Sequence, residues 1–247
     1  IGLDKDIAKR WYNLANCYKE WGKYELAVEC ENQDLAIRQL LDDQVGIAAA
    51  YYQLGRIYQD WEKYEQAINS YQQSREAYQQ LGRESSVANQ WYWMAICYIE
   101  WGKYSQAIEC ENQVLAIRQQ LDDQVGIAAA YYQLGRIYQG WSKYEQAINN
   151  YEQSKEAYQQ LGRDSNVANQ WYWMASCYRD WGKYEQALEC ENQDLAIRQQ
   201  LDDKVDIAAA YYQLGRIYQG WEKYEQAINS YQQSKEVYQQ LGRESSV

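Results

Sequence analysis

The chain repeats itself every forty residues, and no other feature limits its fold as strongly. Equal units begin at Ala8, Ala48, Ala88, Ala128, Ala168 and Ala208, and the sixth ends at Val247. Only residues 1–7 fall outside this division. Self-similarity at such a period marks a stacked array in which each unit buries its apolar face on the next. The units alternate in two types, so the longer period is eighty residues. Cys97, Cys110 and Leu115 belong to type A, represented by residues 88–127, whereas Arg136 and Tyr151 belong to type B, represented by residues 128–167. The copies stay close: the B units from Ala48 and Ala128 differ at a few places, Asp60 against Gly140 and Ser70 against Asn150 among them. Recent duplication and deliberate construction would both leave this pattern.

Within a unit the apolar spacing is helical. Trp91, Met94, Ala95 and Tyr98 stand at i, i+3, i+4 and i+7 and share one helix face. Trp101-Gly102-Lys103 interrupts the series, and a second one runs from Tyr104 through Ala107, Ile108, Leu115 and Ile117. Each unit is therefore expected to be a helical hairpin. In B units Leu161-Gly162-Arg163-Asp164-Ser165 predicts a left-handed glycine after one helix, with Asp or Ser capping the next. In A units Leu121-Asp122-Asp123 predicts a cap without glycine and a following helix that starts near residue 124.

Composition removes several classes of function. A formal charge of -11 argues against a binder of nucleic acid, which needs a basic stripe to displace counterions. No apolar run reaches the roughly 20 residues that span a bilayer, and no signal-peptide pattern opens the sequence. The expectation is a cytoplasmic protein that engages neither nucleic acid nor membrane. The six cysteines fall in register, at Cys17, Cys97 and Cys177 and at Cys30, Cys110 and Cys190. That spacing fits no zinc pattern, and there is no histidine. Two readings remain for them: small buried residues in a reducing compartment, or a disulfide between the two helices of each A unit. No cofactor and no metal are expected. An enzyme is disfavoured because its unlike groups must converge on one pocket, whereas polar residues here recur at regular intervals, and no imidazole is present to act as a base near neutrality.

The pattern resembles the tetratricopeptide repeat. Counting from each first alanine, that family's signature at positions 4, 7, 8, 11, 15, 17 and 20 is met by Trp91, Met94, Ala95, Tyr98, Gly102, Tyr104 and Ala107. The next unit meets it with Tyr131, Leu134, Gly135, Tyr138, Tyr144 and Ala147, and places Tyr151 at the aromatic position 24. The match recurs in all six units, 8–47, 48–87, 88–127, 128–167, 168–207 and 208–247. The usual repeat is about 34 residues; the longer unit and the lack of proline are more similar to arrays of kinesin light chains, Pins-type spindle adaptors and bacterial signalling proteins. Departures are Glu62, Ser142 and Glu222 in place of the turn glycine, and Glu31, Glu111 and Glu191 in place of an aromatic. The resemblance implies an all-α protein, a right-handed α-solenoid of six helix-turn-helix repeats and about twelve helices.

It also implies a concave groove lined by the first helices, with positions 2, 5, 9, 12 and 13 facing it. Position 5 is tyrosine throughout, at Tyr12, Tyr52, Tyr92, Tyr132, Tyr172 and Tyr212. Tyrosine gives large contact area at low entropy cost, although these rings could equally pack between neighbouring helices. Position 9 is arginine in each B unit, at Arg56, Arg136 and Arg216, and position 12 is glutamine, at Gln59, Gln139 and Gln219. The arginines suit an acidic or carboxylate-bearing segment, unless each is neutralised by Glu31, Glu111 or Glu191. The A copies diverge at the same places: Asn16, Ile96 and Ser176 at position 9, and Lys19, Ile99 and Arg179 at position 12. That is the pattern of a groove tuned unit by unit, or of drift at exposed sites.

Trp21, Trp61, Trp101, Trp141, Trp181 and Trp221 at position 14 are expected either to cover the hairpin ends or to form an exposed ridge, and Trp93 and Trp173 have no evident role. The function expected is a scaffold for a peptide or protein segment, as the sensor or adaptor portion of a larger signalling protein. The rival is a structural array. Residues 1–7 align with Leu81 to Val87, the tail of a unit, so the sequence reads as a piece of a longer array whose uncapped ends could stack head to tail.

Overall fold

The computed structural model describes residues 2–244, with side chains described for 4–242. Among these residues all regular structure is helical. The chain divides into two units, Ile1–Asp122 and Asp123–Val247. The first holds α1 (Gly2–Glu20), α2 (Tyr24–Leu40), α3 (Gln44–Asp60), α4 (Tyr64–Gln80), α5 (Glu84–Glu100) and α6 (Tyr104–Gln120). The second holds α7 (Gln124–Gly140), α8 (Tyr144–Gln160), α9 (Asp164–Asp180), α10 (Tyr184–Gln200), α11 (Lys204–Gly220) and α12 (Tyr224–Glu244). Within each unit every helix packs on the next.

The turns follow from local chemistry. After α1 the Lys23 amide donates to the Tyr18 carbonyl at 2.8 Å and the Gly22 amide to Lys19 at 2.9 Å, closing the helix end with a left-handed residue between. Gly22, Gly102 and Gly182 take that residue at φ 74°, 75° and 79°. Glu62, Ser142 and Glu222 hold the same conformation at φ 59°, 59° and 60°, at a cost of about 1 kcal/mol each. Loss of the turn glycine thus leaves the turn intact.

The expected caps divide. Asp43, Asp123 and Asp203 accept from the amides of Gly46, Gly126 and Asp206 at 3.0, 2.9 and 3.2 Å, and α7 begins at Gln124. Gly82 and Gly162 are left-handed, both at φ 64°. The Asp-or-Ser cap at Asp164-Ser165 is not formed: Arg163 occupies the cap without a side-chain bond, and Asp164 is already the first residue of α9. Its carboxylate there favours the positive end of the helix instead. The third equivalent, Gly242, stays inside α12.

Glycine and tyrosine lock each B hairpin. A Cβ at Gly55, Gly135 or Gly215 would lie 2.5 to 2.6 Å from the ring of Tyr71, Tyr151 or Tyr231. Tyr71 and Tyr151 are fully buried, and burial pushes both phenols well above their usual range. Beside them, the hydroxyls of Ser74, Ser154 and Ser234 donate to the carbonyls of Ala48, Ala128 and Ala208 at 2.7 to 2.8 Å, so no buried hydroxyl there lacks a partner.

The position-14 tryptophans join neighbouring hairpins. Trp61, Trp101, Trp181 and Trp221 stack on Tyr24, Tyr64, Tyr144 and Tyr184 of the preceding hairpin, at 5.9 to 6.2 Å between centroids. Lys63, Lys103, Lys183 and Lys223 cover the same rings at 3.2 to 3.4 Å. Each indole is held between a cation and a phenol, a seam between hairpins that combines the two expected roles. Trp93 and Trp173, unassigned by sequence, stack on Tyr71 and Tyr151 at 6.4 Å.

Candidate functional site

The first helices of the hairpins are the odd-numbered ones, and they carry the expected groove positions. Their tyrosines are half-buried, apart from Tyr212, which is exposed. Tyr52 leans on Tyr71 and Trp93, Tyr132 on Tyr151 and Trp173, and Tyr12 accepts from Gln53 Nε2 at 2.8 Å. Tyr12, Tyr52 and Tyr132 are thus partly engaged within the fold. Gln59, Gln139 and Gln219 are tied to the hairpin core, accepting the hydroxyls of Tyr71, Tyr151 and Tyr231 at 2.8 to 2.9 Å.

The basic positions separate into two sets. Lys19 pairs with Asp60 at 3.2 Å, and Arg179 pairs with Asp180 at 2.8 Å while also donating to Ser176 at 3.2 Å and Gln213 at 3.3 Å. Arg56, Arg136 and Arg216 have no carboxylate partner among the described residues. Arg136 and Arg216 are exposed and reach only Gln133 and Gln213, at 3.3 and 3.4 Å, and Arg136 lies 5.9 Å from the Tyr132 ring. Pairing with Glu31, Glu111 or Glu191 does not occur. Asn16, Ile96 and Ile99 are half-buried on the same helices, and Ser176 is buried.

The three glutamates are instead buried in the second helices of the A hairpins. Both carboxyl oxygens of Glu191 and one of Glu31 lack any hydrogen-bond partner. Burial pushes Glu31 and Glu111 up to about 8 and Glu191 up to about 9, with Asp34 and Asp194 adding to the first and third. A carboxyl so placed is neutral at pH 7.

A further cluster was not read from the sequence. Arg198 on α10, only 4% exposed, donates Nε to Asp194 at 3.1 Å and Nη1 to Ser165 at 3.2 Å, and pairs through Nη1 with Asp206 at 2.6 Å. Its Nη2 donates to Asn169 Oδ1. The i,i+4 spacing of Asp194 and Arg198 was the available signal, together with Asp206 standing where the other copies read Gly46 and Gly126. Burial raises Asp194 to about 6 against the opposing charge of Arg198, which leaves it ionised near neutrality. These side chains border an open cavity of about 380 Å³, walled by Tyr132, Tyr172 and Trp173 and widened by the small Ala209 and Ala210.

Among the described residues no group of three or more potential metal-ligating side chains occurs, and no helix is long and apolar enough to cross a membrane. All six cysteines are free thiols, so the interhelical disulfide is not formed. Five are buried and Cys17 is exposed. Burial pushes Cys97, Cys110, Cys177 and Cys190 up to about 12.

Among solved structures, the chain is similar to a signal-transduction ATPase with a tetratricopeptide repeat sensor from Pyrococcus horikoshii. The TM-score is 0.74 at 15% identity, over 98% of this chain but only 38% of that one. It is also similar to a putative kinesin light chain of Podosopora anserina with nearly identical repeats, with a TM-score of 0.64 at 22% identity, over 80% of this chain and 97% of that one. A Rap protein complexed with Competence and Sporulation Factor aligns with a TM-score of 0.58 at 14% identity, over 94% and 75% of the two chains. Identities this low speak for the fold alone. No curated protein sequence matches the chain. A tetratricopeptide repeat family model matches residues 6–80, 86–160 and 166–240, each span holding an A hairpin and the B hairpin after it. The chain belongs to the tetratricopeptide repeat family.

Proposed function

We propose that the chain is a scaffold that holds a peptide or protein segment against the first helices of its hairpins. The observation that carries this reading is the state of Arg56, Arg136 and Arg216: three guanidinium groups at one repeat position, none paired with a carboxylate, each beside a position-5 tyrosine. An unpaired fork of donors next to a flat ring suits a carboxylate on a partner. The Rap structure with its bound factor and the ATPase with its tetratricopeptide sensor support a sensor or adaptor role by analogy of fold. A cytoplasmic setting belongs to the same reading, since buried free thiols suit a reducing compartment.

A second reading, association of copies end to end, is favoured by Trp21, which is 71% exposed, and by Tyr224, which is 60% exposed on α12. These are the two halves of the stack that Tyr144 and Trp181 form inside the chain.

One sedimentation-velocity series with fluorescent Asp/Glu-rich peptides tests both. Peptide should travel with the chain and be released by combined Arg56→Ala, Arg136→Ala and Arg216→Ala changes at unaltered helicity. Capture that survives the triple change overturns the arginine reading. Mass that rises with concentration while no peptide is carried selects the second reading.

A further inference from the structure

The cavity on the second unit is built differently from the exposed arginine positions. It has three aromatic walls, Tyr132, Tyr172 and Trp173, and a charged border of Asp194, Arg198 and Asp206. Its single cation is already committed. Four of the five N–H groups of Arg198 are engaged, by Asp194, Asp206, Ser165 and Asn169. A ligand carboxylate would therefore compete with two protein carboxylates for one guanidinium.

What the cavity offers instead is negative. Two carboxylates against one guanidinium leave a formal charge of minus one, and each carboxylate has more lone pairs than Arg198 can use. Asp206 has a 41% exposed side chain and stands at the opening, while Asp194 lies within. Aromatic faces on the walls add attraction for a cation and none for an anion. The volume of about 380 Å³ admits one extended side chain.

We infer that the Tyr132, Tyr172 and Trp173 cavity, with Asp194 and Asp206 at its border, receives one basic side chain, a guanidinium or ammonium on an alkyl stem, from the bound segment. This rests on the first-helix face as the binding surface and adds a requirement to it: a ligand whose carboxylates meet the exposed arginines also carries a basic anchor. The combination occurs once in the sequence. The second A copy has Val114 and Gly126 where Asp194 and Asp206 stand, and the first has Gly46 and, in place of Trp173, Asn13.

The test uses the full chain and small probes, so it does not depend on finding the segment. Agmatine and cadaverine, titrated by calorimetry and by ligand-detected NMR, should bind at one site, and the neutral isostere pentanol should not. Asp206→Asn should weaken agmatine at least about tenfold, because it removes the negative charge of the more exposed carboxylate at the border while keeping the side chain's shape. Trp173→Gln, which installs the residue that B hairpins carry at this position, should weaken it similarly. Absence of agmatine binding, an undiminished affinity in Asp206→Asn, or preferential binding of succinate would each overturn the proposal. Agmatine binding with no capture of acidic peptides would retain the cavity and reject the arginine reading.

Discussion

The junction of α2 with α3 and the junction of α10 with α11 are copies of one design, yet the arginine does different things in them. In the first, Arg38 donates to Asp34 at 2.6 Å and to the capping Asp43 at 3.1 Å, and its side chain is 23% exposed. In the third, Arg198 leaves the cap alone, takes Asp206, Ser165 and Asn169, and sinks from solvent. Three positions explain the change. Where Asp206, Ser165 and Asn169 stand, the first copy has Gly46, Lys5 and Lys9. A Cβ at Gly46 would meet the side-chain ends of Arg38 and Asp43, Nη1 and Oδ2 both at 2.3 Å, so these would have to shift to admit one. Repeat copies can thus share a backbone and a core while a few substitutions around one helix junction redirect a charge.

The largest expected effect lies in that arginine. Arg198→Met should destabilise by about 3 to 5 kcal/mol, since it strands the buried Asp194 carboxylate, and Arg38→Met should cost less because that guanidinium and its second partner Asp43 are wetter. Equal losses in urea denaturation would break the comparison.

Next comes pH. Glu31 and Glu111 are raised to about 8 and Glu191 to about 9 from an ordinary 4.5. The folded chain therefore keeps protons that the unfolded chain has released. Their contribution is fully present below about pH 4.5 and is lost as pH rises towards 8 or 9. Glu191→Gln should stabilise progressively more as pH rises, and its gain should keep growing about one unit higher than that of Glu111→Gln. A gain that does not vary between pH 5 and 9 would refute this.

The smallest effect sharpens the comparison most. Gly46→Asp should change stability by no more than about 1 kcal/mol, because the atoms in its way belong mainly to the mobile end of Arg38. It should draw that guanidinium from Asp43 to the introduced carboxylate. An Arg38 Nε resonance and a structure unchanged by the substitution would show that the acceptors at positions 165 and 169, and not Asp206, decide the route.

The fold was legible because its signals are local and repeated. The spacing of Trp91, Met94, Ala95 and Tyr98 fixes a helix face, and Asp123 could be read as a cap before any packing was known. Capping by Asp164 failed because the left-handed Gly162 already hands the chain over at Arg163, one residue earlier. The site was harder. Gln59, Gln139 and Gln219 occupy groove positions by resemblance, but the hydroxyl that claims each comes from a tyrosine twelve residues on, a tertiary fact. The Arg198 cluster draws on α9, α10 and α11, and its traces in the sequence are the i,i+4 pair of Asp194 and Arg198 and the mismatch of Asp206 with Gly46 and Gly126.

The tyrosine–tryptophan stacks have a consequence beyond adhesion. Each pair, such as Tyr64 with Trp101 or Tyr184 with Trp221, takes one ring from each of two successive hairpins. Two chromophores held about 6 Å apart couple only while that seam is shut. Near-ultraviolet circular dichroism of this chain therefore counts closed seams, and opening by force, heat or denaturant would be read as stepwise loss of optical signal, one hairpin boundary at a time.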